Sequence, residues 1–294
     1  MKKRKIARVG VAIIAAAVAL IAVYFIFVGR NRPAPIPVKE TLYDGVTYQR
    51  VVKYFPNAMI AHMIKIDTKT KGIQFLVTPA DSKSETPLNA RTTSQFLDEF
   101  GLQIAINGDG FTPWWSRGPA DYYPHVGDPV APLGFTASNG DDYWKGIELD
   151  EGERPVLYIS RRDVFSFNDK PNRIYSAISG DRMIVLQGQP VAGLNDSELD
   201  PRTAIGLNKN GRYVYLIVVD GRQPFYSAGI TFADLAQVLI DHDIYIAMSL
   251  DGGGSSTLVM EGENGEPVIL NSPIDNYIPG RERPVANHIG VYAP

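Results

Sequence analysis

Residues 213–221 read YVYLIVVDG and residues 244–257 read IYIAMSLDGGGSST, with a helix-like stretch between them. Both apolar runs lack a regular polar alternation, as expected for strands that are covered on both faces. A strand–helix–strand unit normally joins parallel neighbouring strands through a right-handed crossover. The sequence therefore predicts that Asp220 and Asp251, which follow the two strands, lie at the same edge of one sheet, where open α/β sheets bind ligands.

Outside this unit, short apolar runs alternate with Gly, Pro and Asn turns, and two segments have helical character. The first predicted helix is capped by Thr92 or Thr93, runs to Phe100 and stops at Gly101. The second begins at Thr231 with an acidic residue three positions later, as in a capping box, and ends near residue 241.

The rest of the pattern is dominated by strands. Residues 59–66 and 73–78 are apolar runs around a polar loop, which predicts a β-hairpin with a long connection. The other predicted strands are 102–106, 174–179, 182–186, 202–207 and 258–260. The fold class expected from this pattern is α+β (mixed α/β), mostly β-sheet with a few helices.

Composition narrows the possible functions. The chain has 294 residues, 45% of them hydrophobic, which is enough to bury a large core. The absence of Cys excludes disulfides, thiolate zinc sites and cysteine nucleophiles. Eight of the 29 Lys and Arg but only one of the 32 acids lie in residues 1–40, so the remainder carries a net charge of −10. Such an acidic body is a poor binder of nucleic acid, and we expect no nucleic-acid partner.

The amino-terminal end predicts a membrane anchor. Residues 9–28 contain no charged side chain, and as a helix they would span roughly 30 Å, the thickness of a bilayer core. Five basic residues within 1–8 precede this segment and predict a cytoplasmic amino terminus with an extracytoplasmic domain. A cleaved signal peptide is the alternative, although the run is long and ends in bulky side chains. Residues 29–41 are then a Pro-rich spacer and residues 42–294 the folded domain.

The segment after the second buried strand is typical of a ligand-binding loop. Three glycines allow close approach of the backbone to a ligand, and successive N–H groups can bind an anion. Hydroxyl groups follow them. The segment lacks the Lys of a P-loop and the spacing of a dinucleotide-binding loop, so neither nucleotide motif applies. The candidate site residues in this loop are Asp251, Gly252, Gly253, Gly254, Ser255 and Ser256.

Further candidates lie near similar turns. Asn107 and Gly108 follow a third apolar strand, as Asp220 and Gly221 follow theirs, and any one such pair is also ordinary turn chemistry. Arg202, Arg222 and Arg283 lie near the acids in sequence, and a guanidinium group matches phosphate bidentately. Structural salt bridges to those acids are the alternative role.

A Gly- and Pro-containing loop over residues 112–123 carries four aromatic side chains. Flat aromatic faces with polar edges suit stacking on sugars, although such a loop can also pack only on itself. The four histidines are scattered without a metal-binding spacing, and we expect neither a metal nor a cofactor.

With these residues in view, the chain resembles the phosphodiester glycosidase family. The matching segments are AINGDGF (105–111), RTAIG (202–206), VVDGRQ (218–223), GIT…LA (229–236), LDGGGSST (250–257) and RPVAN (283–287). The resemblance implies that one surface cavity is lined by Asn107, Arg202, Asp220, Arg222, Asp251 with its Gly-Ser-Ser loop, and Arg283.

The chain departs from the family pattern in two places. Asp109 follows Asn107-Gly108 where a small residue is expected, which adds a carboxylate near the cavity. The aromatic loop within 112–135 has no counterpart that can be carried over. Both departures bear on substrate preference.

The expected activity is hydrolysis of a glycosyl-1-phosphodiester in the cell envelope. A carboxylate is needed as nucleophile or as base for water, and Asp251 is the first candidate, with Asp220 second. Arg202 and Arg222 would hold the phosphate, and Asn107 would orient sugar hydroxyls. The alternatives are a non-catalytic glycan-binding module and a glycosyl transferase of exopolysaccharide assembly. The sequence does not indicate an oligomeric state.

Overall fold

The computed structural model describes residues 10–11, 13–24, 32–147 and 154–294. The chain divides into two compact units, Met1–Ala34 and Pro35–Pro294. In the first unit, residues 10–11 and 13–24 are helical and exposed. No helix among the described residues combines the length and apolar character needed to cross a membrane. The predicted basic tail, and parts of the predicted anchor and spacer, lie outside the described residues.

The second unit is built mainly of antiparallel sheets. Its described strands are β1 (Val38–Tyr43), β2 (Val46–Lys53), β3 (Met59–Asp67), β4 (Gln74–Val77), β5 (Leu88–Asn89), β6 (Ile104–Asn107), β7 (Phe111–Thr112), β8 (Trp115–Gly118), β9 (Asp121–Tyr123), β10 (Pro129–Pro132), β11 (Thr136–Ser138), β12 (Asp141–Trp144), β13 (Val156–Ile159), β14 (Phe165–Phe167), β15 (Ser176–Ser179), β16 (Arg182–Leu186), β17 (Gln189–Pro190), β18 (Arg202–Leu207), β19 (Tyr213–Val219), β20 (Ile246–Ser249), β21 (Leu258–Glu261), β22 (Pro267–Ile269) and β23 (His288–Tyr292). Its helices are α1 (Thr93–Phe100) and α2 (Phe232–Ile240), with 3₁₀ turns at Gly253–Ser255 and Asp275–Tyr277.

Three sheets hold most of these strands. The central sheet has the order β1-β2-β3-β19-β18-β20-β16-β17, the second sheet β22-β21-β6-β23-β4, and the third sheet β12-β11-β15-β13-β14. The largest apolar cluster joins one face of the central sheet to side chains of the other two sheets. Helix α2 covers the opposite face of the central sheet, and α1 packs on the second sheet. The α+β class, mostly β-sheet, is confirmed for the described residues.

The helix ends follow from local sequence. The Thr92 hydroxyl accepts a hydrogen bond from the backbone N–H of Gln95, and the side chain of Gln95 accepts one from the backbone N–H of Thr92. Helix α1 therefore begins with a capping box. Gly101 ends that helix in the left-handed conformation, with φ of 60°. Thr231 caps α2 by accepting from Asp234 N. Both predicted helices are thereby confirmed.

Two predicted pairings are wrong. The run that became β3 pairs with β2 and β19, whereas β4 pairs with β23 in the second sheet, so no hairpin joins β3 to β4. Strands β19 and β20 are not neighbours, because β18 lies between them and is antiparallel to both. The two strands therefore still point the same way, and their carboxyl ends reach the same edge as the start of β18.

Candidate active site

A cavity of about 660 Å³ opens at this edge of the central sheet. It collects residues from segments far apart in the chain, because the starts of β18 and β16 and the end of β20 meet there. The residues that line it are Gly110, Phe111, Trp114, Leu133, Arg154, Asp181, Arg182, Glu198, Asp200, Arg202, Arg222, Phe232, Ser249, Leu250, Asp251, Gly252, Gly253, Gly254 and Arg283. Of the candidate site residues predicted from the sequence, seven lie on this wall: Asp251, Arg202, Arg222, Arg283 and Gly252, Gly253 and Gly254.

The glycine loop, residues 251–257, needs its glycines for close approach of arginines. Gly253 has a φ of +61°, and a Cβ there would lie 3.0 Å from Nη1 of Arg222. A Cβ at Gly254 would collide with the guanidinium of Arg283. The loop backbone and two guanidinium groups therefore form one continuous surface, which suits an anionic ligand.

Asn107 holds the loop from behind rather than facing the cavity. Its side chain is fully buried, and Nδ2 donates to the carbonyl oxygen of Asp251 at 2.8 Å. Its Oδ1 accepts from the Thr203 hydroxyl at 3.0 Å and from Thr257 N at 3.1 Å. The N–H of Asp251 donates to Gly108 O at 2.9 Å. The expectation that Asn107 orients sugar hydroxyls does not fit this position, since its amide is already used.

Asp251 lies at the mouth of the loop and is partly exposed. Burial raises the pKa of its carboxyl, while a hydrogen bond from Ser255 and the charge of Arg283 act in the opposite direction. Ser255 is itself buried, and its hydroxyl accepts from Arg283 Nη1 at 3.3 Å. A carboxyl group whose pKa is raised by its surroundings is a candidate for a role in catalysis.

Asp220 does not line the cavity. It is 1% exposed, and its carboxylate lies 3.0 Å from Nε2 of His62 and accepts from Ser272 N at 2.8 Å. Asn271 Nδ2 also donates to it, at 3.1 Å. The expectation that Asp220 lines the cavity does not fit this position, because the turn after β19 directs this carboxylate into the protein.

The contacts of Asp220 nevertheless reach the glycine loop. Asn271 Nδ2 donates to Ser256 O at 3.0 Å, and Asn271 Oδ1 accepts from Leu258 N at 2.9 Å. Ser256 is also buried, and its hydroxyl accepts from Thr203 at 3.1 Å. Asp220 and Ser256 thus belong to the buried support of the loop.

Arg202 has few strong partners in the protein. Its hydrogen bonds to Glu198 O and Ile230 O are 3.3 and 3.4 Å long, and the carboxylate of Asp200 is 3.9 Å away. The guanidinium stacks on the ring of Phe232, with Cζ 3.9 Å from the ring centroid. Burial lowers its pKa, which remains far above neutral, so the group stays charged and incompletely solvated. Such a cation is well prepared to receive an anion.

Arg222 and Arg283 are held by acids. Arg222 Nε donates to Asp200 at 2.7 Å, and Arg283 Nε donates to Asp275 at 2.8 Å. Each ion pair fixes one edge of a guanidinium group. The opposite edges adjoin the glycine loop, as the approaches to Gly253 and Gly254 indicate.

Sequence reasoning missed several of the cavity's charged residues, namely Arg154, Asp181, Arg182, Glu198 and Asp200. A signal existed for Arg182, because it begins a predicted strand, but only the pairing of β16 with β20 brings it to this edge. Asp109, predicted at the cavity, is fully buried behind it. Within the described ranges, no group of three or more His, Asp or Glu side chains is arranged to hold a metal ion.

Comparisons with known proteins agree with this architecture. The bovine N-acetylglucosamine-1-phosphodiester alpha-N-acetylglucosaminidase is 39% identical over 64 residues, which are 22% of this chain and 12% of the bovine protein. The match thus spans about an eighth of the length of that relative. The catalytic domain of the zebrafish enzyme of the same name superposes with a TM-score of 0.57 at 17% identity, covering 89% of this chain and 85% of that domain.

A hypothetical protein from Synechocystis has the same fold, with a TM-score of 0.58 at 15% identity over 89% of this chain and 64% of that one. A family model described as phosphodiester glycosidase matches residues 100–292, which include the glycine loop and the cavity arginines. Because this match covers more than half of the 294 residues, the chain belongs to the phosphodiester glycosidase family.

Proposed function

We propose that this protein hydrolyses a glycosyl-1-phosphodiester, releasing a free sugar and a phosphomonoester. The observation that carries the proposal is that the carboxyl of Asp251 and the guanidinium groups of Arg202, Arg222 and Arg283 lie around one cavity. Family membership supports the same reaction class. The name of the bovine relative describes a bond of this kind, with N-acetylglucosamine as the sugar.

The reaction breaks the bond between the anomeric carbon and the phosphate oxygen. The bonding electrons leave with the phosphate, and the guanidinium groups stabilise its increased negative charge. Asp251 either attacks the anomeric carbon or accepts a proton from the water that does so. In both cases the oxygen of water ends on the sugar, and its proton is released through the carboxyl.

Hydrolysis in ¹⁸O-labelled water tests this chemistry on a small set of sugar phosphodiesters. We expect the label in the sugar hemiacetal and none in the phosphomonoester, whereas label in the phosphate would indicate a phosphodiesterase. The Asp251→Asn variant should fold normally and lose at least about a thousandfold in kcat, since it lacks the reacting carboxylate. Activity in that variant close to the wild type would remove Asp251 from the mechanism.

We further propose that residues 9–28 anchor the domain to a membrane, with the cavity on the extracytoplasmic side and an envelope glycan as substrate. The uninterrupted apolar run and the preceding basic residues support this topology. Carbonate extraction of a bacterial host should leave the chain in the membrane pellet, and external protease should digest the domain in spheroplasts. Release by carbonate, or protection from the protease, would contradict the topology.

A further inference from the structure

Asp109 forms a largely buried ion pair with Arg154. Its carboxylate is fully buried and accepts hydrogen bonds from Gly110 N and Gly134 N, each at 2.8 Å. Arg154 Nη2 donates to the same carboxylate at 2.5 Å. Burial raises the pKa of Asp109 to about 6, and Arg154 opposes this rise, so the carboxyl is charged at neutral pH. Asp109 is not accessible to a substrate, whereas Arg154, which it binds, lies on the cavity wall.

Arg154 reaches the cavity that contains Asp251. Its side chain is 14% exposed and lies beside Gly110 on the cavity wall. This part of the wall is linked to the backbone of the reacting residue, because the N–H of Asp251 donates a hydrogen bond to Gly108 O. The Nε of Arg154 is buried without a hydrogen-bond partner among the described residues. A guanidinium group has five N–H donors, and the hydrogen bond to Asp109 uses one of them.

Three of the four other cavity arginines already account for one phosphodiester, and Arg182 is paired with Asp181. Arg222 and Arg283 adjoin the glycine loop, and Arg202 lies where Gly252 packs against it. Arg154 is contributed by a separate part of the wall, beside Gly110 and Leu133. A single phosphodiester carries one negative charge, which does not require a fourth guanidinium held from a different direction.

We propose that Arg154, positioned by Asp109, binds a second anionic group of the substrate, a phosphate or a carboxylate, distinct from the phosphodiester that is cleaved. This inference rests on the proposed hydrolysis and specifies its substrates as acidic glycans or glycosyl phosphates with a further charge. The arginine is a specificity residue, and Asp109 is a positioning residue that acts through it.

The test compares three substrates with the same sugar linkage: a glycosyl-1-phosphoglycerol, the same compound with a terminal phosphate, and a uronic acid 1-phosphodiester. The full chain is assayed as wild type, Arg154→Gln, Arg154→Lys and Asp109→Asn. Arg161→Gln is the matched control, since it removes the same charge from an exposed turn outside the cavity lining. Thermal unfolding of each variant separates loss of fold from loss of recognition.

We expect the wild type to have a roughly tenfold higher kcat/KM for one of the two substrates that carry a second anionic group. A difference of this size is typical of one charged hydrogen bond. Arg154→Gln should abolish this preference mainly through KM, Arg154→Lys should keep part of it, and Arg161→Gln should keep all of it. Asp109→Asn should reduce the preference, and adding this change to Arg154→Gln should cause little further loss. The substrate that is favoured identifies the group as phosphate or carboxylate. An equal loss for all three substrates in Arg154→Gln would overturn the inference.

If the wild type hydrolyses none of the three, the proposed function fails, and equilibrium binding decides the role of Arg154 separately. Calorimetry would then measure binding of glycerol 3-phosphate and of glucuronate to the wild type and to the two Gln variants. Binding that is lost in Arg154→Gln but not in Arg161→Gln supports an anion site at Arg154. Equal affinity in all three proteins, or no binding to any of them, would overturn it.

Discussion

Two walls of the cavity are held in place by different means. The glycine loop is fixed by hydrogen bonds from the buried side chains of Asn107, Thr203 and Asn271. The aromatic hairpin, residues 114–123, is largely exposed and is attached through Arg281 and Arg283, both of which pair with Asp275. Arg283 stacks on Trp114 and Arg281 on Tyr122, with Cζ 4.9 and 4.4 Å from the rings.

This difference suits the glycine loop to catalysis and the aromatic hairpin to substrate recognition. Buried polar groups lose much when a partner is removed, whereas exposed pairs contribute little free energy. A change in the aromatic hairpin can therefore alter which substrate binds without moving the reacting carboxyl. The predictions below test this division, beginning with the glycine loop.

Replacing Asn107 with Ala should have the largest effect on the buried side. It leaves Asp251 O and Thr257 N without their Asn107 partner and removes one of the contacts of the Thr203 hydroxyl, so we expect about 3 kcal/mol of lost stability. A displaced Asp251 should also lower kcat about a hundredfold, since small misplacements of reacting groups are costly. Urea unfolding and steady-state kinetics measure both effects. Loss of stability without loss of kcat in the folded fraction would show that Asn107 does not position Asp251.

The pH dependence tests the environment of Asp251 itself. Because burial raises its pKa, the carboxylate needed for attack or for base catalysis disappears as pH falls through a value above the usual 3.9 or so. We expect the acidic limb of kcat/KM to lie above that value, with about a tenfold fall per pH unit below it. A limb at pH 4 or lower, with the enzyme still folded by circular dichroism, would contradict the burial of the reactive group.

The features of the fold that the sequence predicted are mostly local ones. Thr92 and Gly101 define α1 through contacts within a few residues, and the run that became β19 is apolar throughout. What sequence reasoning missed depends on pairing between distant segments. Nothing near residues 213–250 indicates that β18 inserts between β19 and β20. Likewise, β4 pairs with the last strand of the chain rather than with the nearest one.

The same reason applies to the site. Asp251, Arg202, Arg222 and Arg283 could be selected by residue type, and the sheet edge then brings them together. The burial of Asp220 could not be predicted, because it depends on His62 and Asn271, which are 158 and 51 positions away in the chain. Arg154 was missed because only the folded protein shows that Asp109 directs it into the cavity.

On the aromatic hairpin, Trp114 and its neighbour Trp115 differ in their position relative to the cavity. Trp114 is 49% exposed and lines the cavity, whereas Trp115 is 38% exposed, stacks on Tyr123 and is not part of the lining. Replacing Trp114 with Ala should raise KM about fivefold with kcat nearly unchanged, because stacking on a sugar is lost. Trp115→Ala is the control and should leave KM as it is. Equal effects of the two variants would mean that the hairpin acts only through its fold.

The smallest effect is expected at the attachment of the hairpin. Arg281→Ala removes the hydrogen bond to Pro119 O, the stacking on Tyr122 and the ion pair with Asp275, which keeps its ion pair with Arg283. We expect less than about 1 kcal/mol of lost stability and roughly a twofold rise in KM, as the hairpin samples more positions. Arg212→Ala is a matched control, since Arg212 also forms an exposed ion pair, with Asp67, but away from the cavity. A fall in kcat in Arg281→Ala would show that the two walls are coupled, because loosening the recognition side would then have disturbed the reacting carboxyl.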